Sequence, residues 1–509
     1  MNVGIFAQEN IERFGEYVIL TFEGRDYTNV ESLQNIERLA RALKGLGVKP
    51  GDRVMVLLPN CPEVVTSYQA ILRIGAVVMP VFFLLQPEEV RHIINDSRPV
   101  VAFTSIPFME KITEAAAGIP SLKHLILVGE KVDLPNVLWF DDLMDNNLPE
   151  CEFYNAADNE MAALLYTSGT TGVPKGVMLS HSNIYNDAIA AANTQKLTHL
   201  DVGLSVLPLA HSYGIIVMIA ALYAGPKCVL MSFFDANLVA DAAEKYRATT
   251  MTVVPTMLTY MLQADIEPSK LESLKIVICA AAPLPKELKE TFESRFGCMI
   301  LEGYGLTEAS PCVCMSHPDM PHKPGSVGPP LEGVFIEIRD DSGNRLPPGE
   351  VGEICVRGHN VMLGYYNLPE LTAQTVVDGW LYTGDMGYVD EDGYLFLVDR
   401  KKDLIIRGGL NIIPSDVESV LMRHPAVEEA AVIGVFDEVM GEAVKAFVVL
   451  APGKSATAEE LIEFSQKFLA KYKTPKYIEF TDFLPKNVIG KVLKKELRKK
   501  ESDKKTDKG

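Results

Sequence analysis

An alternation of short apolar strands with amphipathic helices constrains the fold of this chain more than any other feature. Residues 28–31 (TNVE) have the form of a helix capping box, and residues 53–58 (RVMVLL) form a continuous apolar strand after the predicted helix. The same unit recurs at residues 70–104, 236–254 and 284–302. Apolar strands joined through helices are typical of parallel sheets with helices on both faces. The alternation therefore predicts an α/β fold with multiple layers and parallel-rich sheets.

The pattern of predicted strands and turns changes from Gly325 onward. Strands become short and lie between Gly, Pro and Asp turns, as in residues 352–357 (GEICVR), which predicts an antiparallel portion, a small β-barrel, within the large domain. A charged run at residues 399–403 (DRKKD) then precedes a shorter α+β pattern. We therefore predict a large N-terminal domain over residues 1–399 and a small, mobile C-terminal domain over residues 400–509.

The net charge excludes one class of function. The chain of 509 residues has 48 Lys and Arg against 67 Asp and Glu, a net charge of −19. A surface this acidic repels nucleic acid, so we predict no nucleic-acid partner. Any anionic ligand must then be held by local N–H groups, Lys or Arg.

Cysteines and apolar runs predict the location of the protein. The eight cysteines are scattered, and the nearest pair, Cys312 and Cys314, lacks a zinc-binding spacing, so reduced thiols are expected. The longest apolar stretch, residues 215–225, is too short to span a bilayer, and the N-terminus lacks the pattern of a signal peptide. We predict a cytoplasmic protein without an integral membrane segment; monomer and homodimer stay open as alternatives.

A loop rich in glycine and hydroxyl groups is the strongest functional signal. Residues 165–176 (LYTSGTTGVPKG) combine glycines with the hydroxyls of Thr167, Ser168, Thr170 and Thr171 and with the cation of Lys175. Glycines let backbone N–H groups approach an anion, and hydroxyls and Lys add donors and charge. The loop therefore predicts a phosphate site, although it lacks the spacing of a Walker motif.

This loop resembles the phosphate loop of the adenylate-forming enzymes, the superfamily of acyl-CoA synthetases, luciferases and carrier-protein adenylation domains. Five further segments resemble motifs of that superfamily in the same order, namely LPLAHSYG (207–214), EGYGLTE (302–308), WLYTGD (380–385), VDRKKD with GGLN (398–411) and PKNVIGK (485–491). The chain looks most like bacterial medium- and long-chain fatty acyl-CoA synthetases.

The resemblance implies a reaction in two halves that uses ATP, Mg²⁺ and CoA. A carboxylic acid first attacks the α-phosphate of ATP and gives an acyl-adenylate and pyrophosphate, and a thiol then displaces AMP. Because both partners of the first half are anions, the protein must supply positioning and charge stabilisation.

The resemblance also implies roles for individual residues on the nucleotide side. Glu308 is the expected Mg²⁺ ligand and Lys491 the catalytic cation of adenylation, while Lys402 is the expected hinge. The other expected contacts are with the phosphates (Thr167, Ser168, Gly169, Thr170, Thr171, Gly172, Lys175, Thr307), the adenine (Ala281, Ala282, Tyr304, Gly305), the ribose (Asp385, Arg400) and the pantetheine arm (Gly408, Gly409).

The expected acyl pocket is uncharged. Residues 212–224 (SYGIIVMIAALYA) contain no charge, so an amino-acid substrate is disfavoured and an apolar monocarboxylate fits best. The expected pocket residues are Tyr213, Gly214, Met218, Gly303 and Ala309, with His211 at the carboxylate end. Room beside Gly214 and Gly303 favours a fatty acid; aromatic and alicyclic acids stay open.

Other interpretations remain beside the leading one. The acceptor could be a carrier-protein thiol, or oxygen in a luciferase-like reaction; an inactive acyl or nucleotide sensor and an unrelated NTPase are the alternatives from other classes. The basic stretch at residues 486–508 is interpreted as a solvated, frayed tail, with a weak peripheral hold on anionic lipid or on CoA phosphates as the alternative. Ile413 stands where many relatives carry an aromatic residue, and residues 487–489 (NVI) lack a hydroxyl that is often present.

Overall fold

A computed structural model describes residues 2–144, 148–168, 174–408, 410–486 and 492–506 of the chain. These residues form two compact units, Met1–Ile336 with Val356–Tyr382 and Glu337–Cys355 with Thr383–Gly509. Within the described ranges, no helix combines the length and the apolar character needed to cross a bilayer.

The helices are amphipathic elements between the strands. In chain order they are α1 (Phe6–Phe14), α2 (Asn29–Gly45), α3 (Pro62–Arg73), α4 (Pro87–Ser97), α5 (Ile106–Ala116), α6 (Phe140–Met144), α7 (His181–Gln195), α8 (Ser212–Ala224), α9 (Ala236–Tyr246), α10 (Pro255–Gln263), α11 (Lys286–Phe296), α12 (Pro369–Thr375), α13 (Pro414–Met422), α14 (Ala458–Gln466) and α15 (Lys494–Thr506). Short 3₁₀ turns cover Val3–Ile5, Pro268–Leu271, Thr307–Ala309 and Lys401–Asp403.

The strands are mostly short. In chain order they are β1 (Val18–Phe22), β2 (Arg25–Thr28), β3 (Arg53–Val56), β4 (Val77–Pro80), β5 (Val101–Ser105), β6 (His124–Val128), β7 (Leu138–Trp139), β8 (Met161–Ser168), β9 (Pro174–Ser180), β10 (Val202–Ser205), β11 (Lys227–Leu230), β12 (Thr250–Val253), β13 (Ile276–Cys279), β14 (Met299–Gly305), β15 (Cys312–Met315), β16 (Val334–Arg339), β17 (Gly352–Gly358), β18 (Gly364–Tyr365), β19 (Val376–Val377), β20 (Trp380–Val389), β21 (Leu395–Arg400), β22 (Ile405–Arg407), β23 (Leu410–Ile412), β24 (Val427–Asp437), β25 (Gly441–Leu450) and β26 (Tyr477–Phe480).

Two sheets of eight strands form the first unit. Their strand orders are β15-β14-β13-β12-β10-β11-β1-β2 and β18-β9-β8-β4-β3-β5-β6-β7. Neighbouring strands in the interior of both sheets are mostly parallel, and antiparallel pairs such as β1 with β2 and β14 with β15 lie at the edges. The predicted α/β fold with parallel-rich sheets is confirmed.

The predicted helix starts and buried strands explain this topology. Thr28 caps α2 by accepting a hydrogen bond from the backbone N–H of Glu31 at 3.1 Å. In the first sheet, Met251, Val277 and Ile300 stand in register on three adjacent parallel strands and are fully buried. Such a row needs cover on both faces of the sheet, which the helices between the strands provide.

The second unit contains antiparallel strands and a smaller α+β fold. The sheet with the order β16-β17-β20-β19, with β21 on β20, is the antiparallel portion predicted after Gly325, and its residues 337–339, 352–355, 383–389 and 395–400 belong to this unit. Another has the order β23-β22-β25-β24, with β26 parallel to β25. Its core includes Ile405, Val432, Val444 and Leu461.

The division into units differs from the predicted domain boundary in one respect. Residues 337–355 and 383–399, which the sequence assigned to the large domain, belong to the compact unit that also contains the C-terminal α+β fold. The physical reason is strand pairing, because β21 continues directly into the turn at residues 401–403 while it pairs with β20. The prediction that residues 400–509 move as a domain relative to residues 1–399 stays a prediction.

The basic stretch near the C-terminus differs from the predicted solvated, frayed tail. Helix α15 starts at Lys494, and Leu497 within it is only 3% exposed. Lys494 forms an ion pair with Glu418 at 2.8 Å, and Arg498 forms one with Asp403 at 2.7 Å. The acidic partners are distant in sequence, so the charge run by itself could not show that these cations are paired.

Candidate nucleotide and acyl site

The hairpin of β8 and β9 carries the predicted phosphate loop. The two strands are antiparallel, and their register places Thr167 opposite Lys175 at the base of the loop. Gly169, Thr170, Thr171 and Gly172 lie outside the residues that the structure describes, as does the side chain of Ser168. Their phosphate contacts therefore stay predictions, while the pairing fixes the two ends of the loop.

Tyr365 connects Lys175 with the predicted magnesium ligand. The Tyr365 hydroxyl donates a hydrogen bond to Oε1 of Glu308 at 2.9 Å, and the Lys175 ammonium lies 5.6 Å from the centre of the Tyr365 ring. Burial and the adjacent Glu308 carboxylate raise the pKa of Tyr365, so its hydroxyl stays protonated and can donate. Strand β18 holds this tyrosine because it pairs with β9 opposite Val177.

Sequence reasoning missed Tyr365. It stands in residues 364–367 (GYYN), where two adjacent tyrosines resemble ordinary core aromatics. The only local signal is a polar aromatic residue beside a glycine, which is too common to predict a site. The contact is decided by three segments that are far apart in sequence, namely β9, β18 and the turn at residues 307–309.

Helix α8, which contains residues of the predicted acyl pocket, begins next to the turn at residues 307–309 that was predicted to bind the nucleotide. Ser212 Oγ lies 3.1 Å from Thr307 Oγ1, and both residues are buried. Thr307 and Glu308 share one 3₁₀ turn, so the start of α8 is held beside the expected α-phosphate and metal contacts. This contact joins two motifs that are 95 residues apart in the chain.

His211 caps helix α8. Its Nδ1 accepts a hydrogen bond from the backbone N–H of Tyr213 at 3.2 Å, which satisfies one of the free donors at the helix start. Burial lowers the pKa of His211 to about 4, so the imidazole is neutral at pH 7. A role for His211 at the carboxylate end of a substrate stays a prediction; the structure adds its capping role.

The expected adenine segment has an unusual backbone. Ala281 has a φ of 71°, a left-handed conformation that residues with a side chain seldom adopt, and such strain concentrates at functional sites. Ala282 follows it in the same turn. A side chain at Gly305 would overlap the carbonyl oxygen of Pro311, so glycine is required there. Tyr304 is 8% exposed on β14.

The five expected acyl-pocket residues occupy different surroundings. A Cβ at Gly303 would have its nearest neighbours at 3.5 Å, which is ordinary van der Waals contact, so a methyl group would fit there without overlap. The expectation that Gly214 leaves space for a substrate is wrong, because a Cβ there would overlap the carbonyl oxygen of Pro208. Its glycine is needed for close backbone packing and gives no room to a substrate. Ala309 is fully buried, and Met218 borders a cavity of about 270 Å³ that residues of α8, β10, β11 and β1 also line.

Tyr213 carries a polar atom inside this apolar region. Among the described residues, its buried hydroxyl has no hydrogen-bond partner, and burial, together with the thiols of Cys279 and Cys312, raises its pKa. An unpaired buried hydroxyl is costly, so a substrate atom or a water bound there would stabilise the protein.

The second unit holds the expected ribose and hinge residues. Asp385 and Arg400 face each other in the register of β20 and β21, and Arg400 Nε lies 3.1 Å from Asp385 Oδ1. Lys402 lies in the following 3₁₀ turn, and burial lowers its pKa, with a further contribution from Arg400. Gly408 has a φ of 59°, which favours glycine. Gly409 and Lys491 lie outside the residues that the structure describes.

The two units together define a class of protein, an α/β nucleotide-binding enzyme with an appended α+β unit. The model of the AMP-binding enzyme family matches residues 7–366, and the model of the AMP-binding enzyme C-terminal domain matches residues 416–491. The chain belongs to the AMP-binding enzyme family, and the predicted membership of the adenylate-forming superfamily is confirmed.

Relatives and solved structures cover nearly the whole chain. A long-chain-fatty-acid–CoA ligase of Bacillus subtilis (strain 168) is 36% identical over 97% of this chain and 94% of its own length. A feruloyl-CoA synthase of an Amycolatopsis species is 37% identical over 94% of both chains. The crystal structure of ATP-bound MatB from Rhodopseudomonas palustris is 30% identical, covers 98% of this chain and 99% of its own, and has a TM-score of 0.91.

Proposed function

We propose that this protein is an AMP-forming acyl-CoA ligase that activates a medium- or long-chain fatty acid. A carboxylate oxygen attacks the α-phosphorus of ATP, and the bond to the bridging oxygen breaks as pyrophosphate leaves. The sulfur of CoA then attacks the acyl carbon, the carbon–oxygen bond to AMP breaks, and the thiol proton passes to solvent. The enzyme class, an acid–thiol ligase, agrees with the prediction from the sequence and is confirmed by the named relatives.

The contact between Ser212 and Thr307 carries this proposal. It brings the start of the uncharged helix α8 to the turn that also holds Glu308. An enzyme that joins a carboxylic acid to a nucleotide needs an apolar acyl wall and phosphate-binding groups at one point, because correct positioning supplies much of the rate. A simple NTPase has no need of such a wall.

On the nucleotide side, the chain's own residues orient and neutralise the phosphates. Lys175 supplies a cation and Thr167 a hydroxyl at the two ends of the phosphate loop. Lys491, carried on the C-terminal segment, would bridge the substrate carboxylate and the α-phosphate. These three roles follow the family resemblance, and each can be tested by substitution.

The residues fit a magnesium ion. One carboxylate oxygen of Glu308 accepts a hydrogen bond from Tyr365, and the other is a hard oxygen ligand. Proteins bind Mg²⁺ through one or two carboxylates together with phosphate oxygens. When bound, the ion supplies charge neutralisation on the phosphates. Gly408 and Gly409 are the residues proposed to face the pantetheine arm of CoA, and a cytoplasmic location stays a prediction.

An aromatic acid is the second candidate substrate. The Tyr213 hydroxyl, which has no partner within the described part of the chain, offers a donor to a polar ring substituent, and one relative at 37% identity is named for feruloyl-CoA. The uncharged helix α8 suits an aliphatic chain equally well, so an experiment must decide between the two kinds of acid.

The proposed function is tested by a screen of carboxylic acids. Acetate, hexanoate, palmitate, benzoate and ferulate are each incubated with ATP, Mg²⁺ and CoA, and release of AMP is measured. We expect the largest kcat/KM with an aliphatic acid of medium or long chain. Preference for ferulate would favour the aromatic alternative, and absence of AMP with all acids would contradict the proposal. Omitting CoA separates CoA from other acceptors.

A further inference from the structure

The turn that carries Thr307 and Glu308 ends in a strained backbone. Ser310, the residue that closes this turn, has a φ of 71°, a left-handed conformation that residues with a side chain seldom adopt. Such a conformation persists only where the surrounding structure holds it in place. The groups that contact residues 307–312 therefore decide where the two proposed nucleotide contacts lie.

The segment of chain between β17 and β18 is bonded to this turn at three points. The backbone N–H of Met362 donates a hydrogen bond to the carbonyl of Glu308 at 3.0 Å. The Ser310 hydroxyl donates to the carbonyl of Asn360 at 2.7 Å, and the Asn360 side-chain amide donates to the carbonyl of Cys312, also at 2.7 Å. Because these bonds are spread along the turn, the turn is fixed relative to this segment.

Helix α7 contacts both the segment and the end of the turn. The side-chain amide of Asn183 donates to the carbonyls of His359 at 2.6 Å and Val361 at 3.0 Å. One helical turn later, Asp187 Oδ2 accepts a hydrogen bond from the backbone N–H of Cys312 at 3.2 Å. Residues four positions apart share one face of a helix. Since α7 directly follows β9, the helix that starts at the phosphate hairpin also holds this turn.

Asp187 and Asn360 bind the two backbone groups of a single residue, Cys312. In an extended strand, the N–H and the carbonyl of one residue point to the same side, so the two side chains meet one edge of β15. Both side chains are fully buried, and the Oδ1 atom of each has no hydrogen-bond partner among the described residues. Two buried acceptors without a donor are costly, whereas one proton between them would satisfy both.

The surroundings of Asp187 favour a protonated acid. Burial raises the pKa of Asp187 well above its usual range, and within the described part of the chain no Lys or Arg contributes to its charge balance. The Cys312 thiol beside it is neutral as well, because burial and the adjacent acid raise its pKa. A protonated carboxyl group offers one O–H donor and one carbonyl acceptor, which are the two bonds that this position requires.

We propose that Asp187 and Asn360 form a buried clamp on Cys312, in which the protonated Oδ1 of Asp187 donates a hydrogen bond to Oδ1 of Asn360. By fixing the end of the strained turn, the clamp positions Thr307 and Glu308 for the nucleotide. Asp187 and Asn360 are therefore positioning residues, which act through the turn. This inference rests on the proposed function, in which Glu308 binds Mg²⁺, and adds the buried groups that hold this ligand in place.

Substitutions of Asp187 separate the clamp from ordinary packing. Asp187→Asn keeps one donor and one acceptor in the same shape, whereas Asp187→Leu keeps the size and removes both. Leu43→Ala, in the buried face of α2, is the control that lowers stability from a different helix. Two quantities are measured on the full chain without acid or CoA. They are the Tm and, by calorimetric titration, the Mg²⁺ concentration that gives half-maximal ATP binding.

We expect Asp187→Leu to raise the required Mg²⁺ concentration by about tenfold or more, since an unpaired buried donor has effects of that size. Asp187→Asn should stay within about twofold of the wild type, because its amide makes the same two bonds. Leu43→Ala should lower the Tm alone. A wild-type Mg²⁺ requirement in Asp187→Leu, or the same increase in Asp187→Asn or Leu43→Ala, would overturn the inference.

A second variant and a spectroscopic measurement cover the case in which Asp187→Leu does not fold. Asn360→Ala removes the donor to Cys312 and should raise the Mg²⁺ requirement in the same way; an unchanged requirement would overturn the clamp. The infrared difference between the wild type and Asp187→Asn at pH 7 should contain the carbonyl band of a protonated carboxylic acid, and a carboxylate band in its place would also overturn it. If the wild type shows no Mg²⁺-dependent ATP binding, the proposed function fails, whatever the infrared spectrum shows.

Discussion

The two units hold their candidate site residues in different ways. In the first unit, Thr167, Lys175, Tyr365 and Glu308 are placed by strand pairing and by a neutral phenol that donates to a carboxylate. In the second, Asp385 is opposed by the cation of Arg400. Within the described part of the chain no carboxylate pairs with Lys175, so its charge is left for a ligand, whereas Asp385 is neutralised by a cation of the protein itself.

Helix α15 of the second unit also depends on charge pairs. Both units have an apolar core, and α15 is held by the buried Leu497 together with the ion pairs of Lys494 with Glu418 and of Arg498 with Asp403. Ion pairs weaken with salt and with protonation of the carboxylate. The attachment of α15 should therefore respond to salt and pH.

Substitution of Lys491 should have the largest effect. Lys491→Ala removes the proposed catalytic cation, so we expect acyl-adenylate formation to fall by about 100- to 1,000-fold, the usual cost of losing one charge-stabilising donor. Thioester synthesis from presented acyl-adenylate should remain. Acid-dependent exchange of labelled pyrophosphate into ATP measures the first half and CoA-dependent AMP release the second. Equal loss in both halves would contradict the assigned role.

Removal of one buried ion-pair partner should destabilise the second unit. In Lys494→Met, Glu418 keeps a buried charge without its cation, which costs about 3 kcal/mol in the free energy of unfolding. Lys495→Ala, a neighbouring exposed lysine, is the control and should change little. Denaturant unfolding of the full chain followed by circular dichroism measures both.

The pH dependence of this variant has a defined sign. Burial already raises the pKa of Glu418 in the folded protein, and loss of Lys494 raises it further. A group whose folded pKa is above its unfolded value favours the folded state at low pH, and this contribution is lost as pH rises through the folded pKa. Lys494→Met should therefore be closer to wild-type stability at pH 4.5 than at pH 7. A deficit independent of pH would contradict this account.

Loss of the Tyr365 hydroxyl should weaken magnesium-dependent nucleotide binding. Tyr365→Phe removes the donor to Glu308 and keeps the ring beside Lys175, so we expect about a tenfold increase in the Mg²⁺ concentration needed for ATP binding, in line with one hydrogen bond to a charged group. Calorimetric titration with ATP at several Mg²⁺ concentrations, without acid or CoA, measures this effect. Tyr366→Phe is the adjacent control. The same increase in the required Mg²⁺ concentration in both variants would contradict a specific role for Tyr365.

Substitution of Asp385, which forms an ion pair with Arg400, should have the smallest effect. Asp385→Ala removes the proposed ribose acceptor, which is already paired with Arg400, so we expect KM for ATP to rise about tenfold at most, within the range of one hydrogen bond to a charged group. KM for the carboxylic acid should not change. An unchanged KM for ATP would show that Asp385 does not contact the nucleotide.

Much of the fold could be predicted because its signals are local. Capping residues such as Thr28 and apolar runs such as residues 53–58 act within a few positions of the chain, and the structure places a capped helix and a buried strand there. The prediction of a phosphate loop also rests on one segment. Gly214 shows the limit of such reasoning, because a glycine that opens space and one that permits close packing are identical in a sequence.

The sequence by itself determined the α/β class, the family and the chemical types of the nucleotide-side residues, because local periodicity and short motifs encode them. Only the tertiary structure decided that Tyr365 joins Lys175 to Glu308, that Ser212 meets Thr307, that the C-terminal basic run is a paired helix and that a cavity lies at the end of α8. The first three of these features depend on contacts between residues 57 to 190 positions apart, for example 57 positions for Tyr365 with Glu308 and 95 for Ser212 with Thr307. Such distances are set by packing of the whole chain, which no local pattern records.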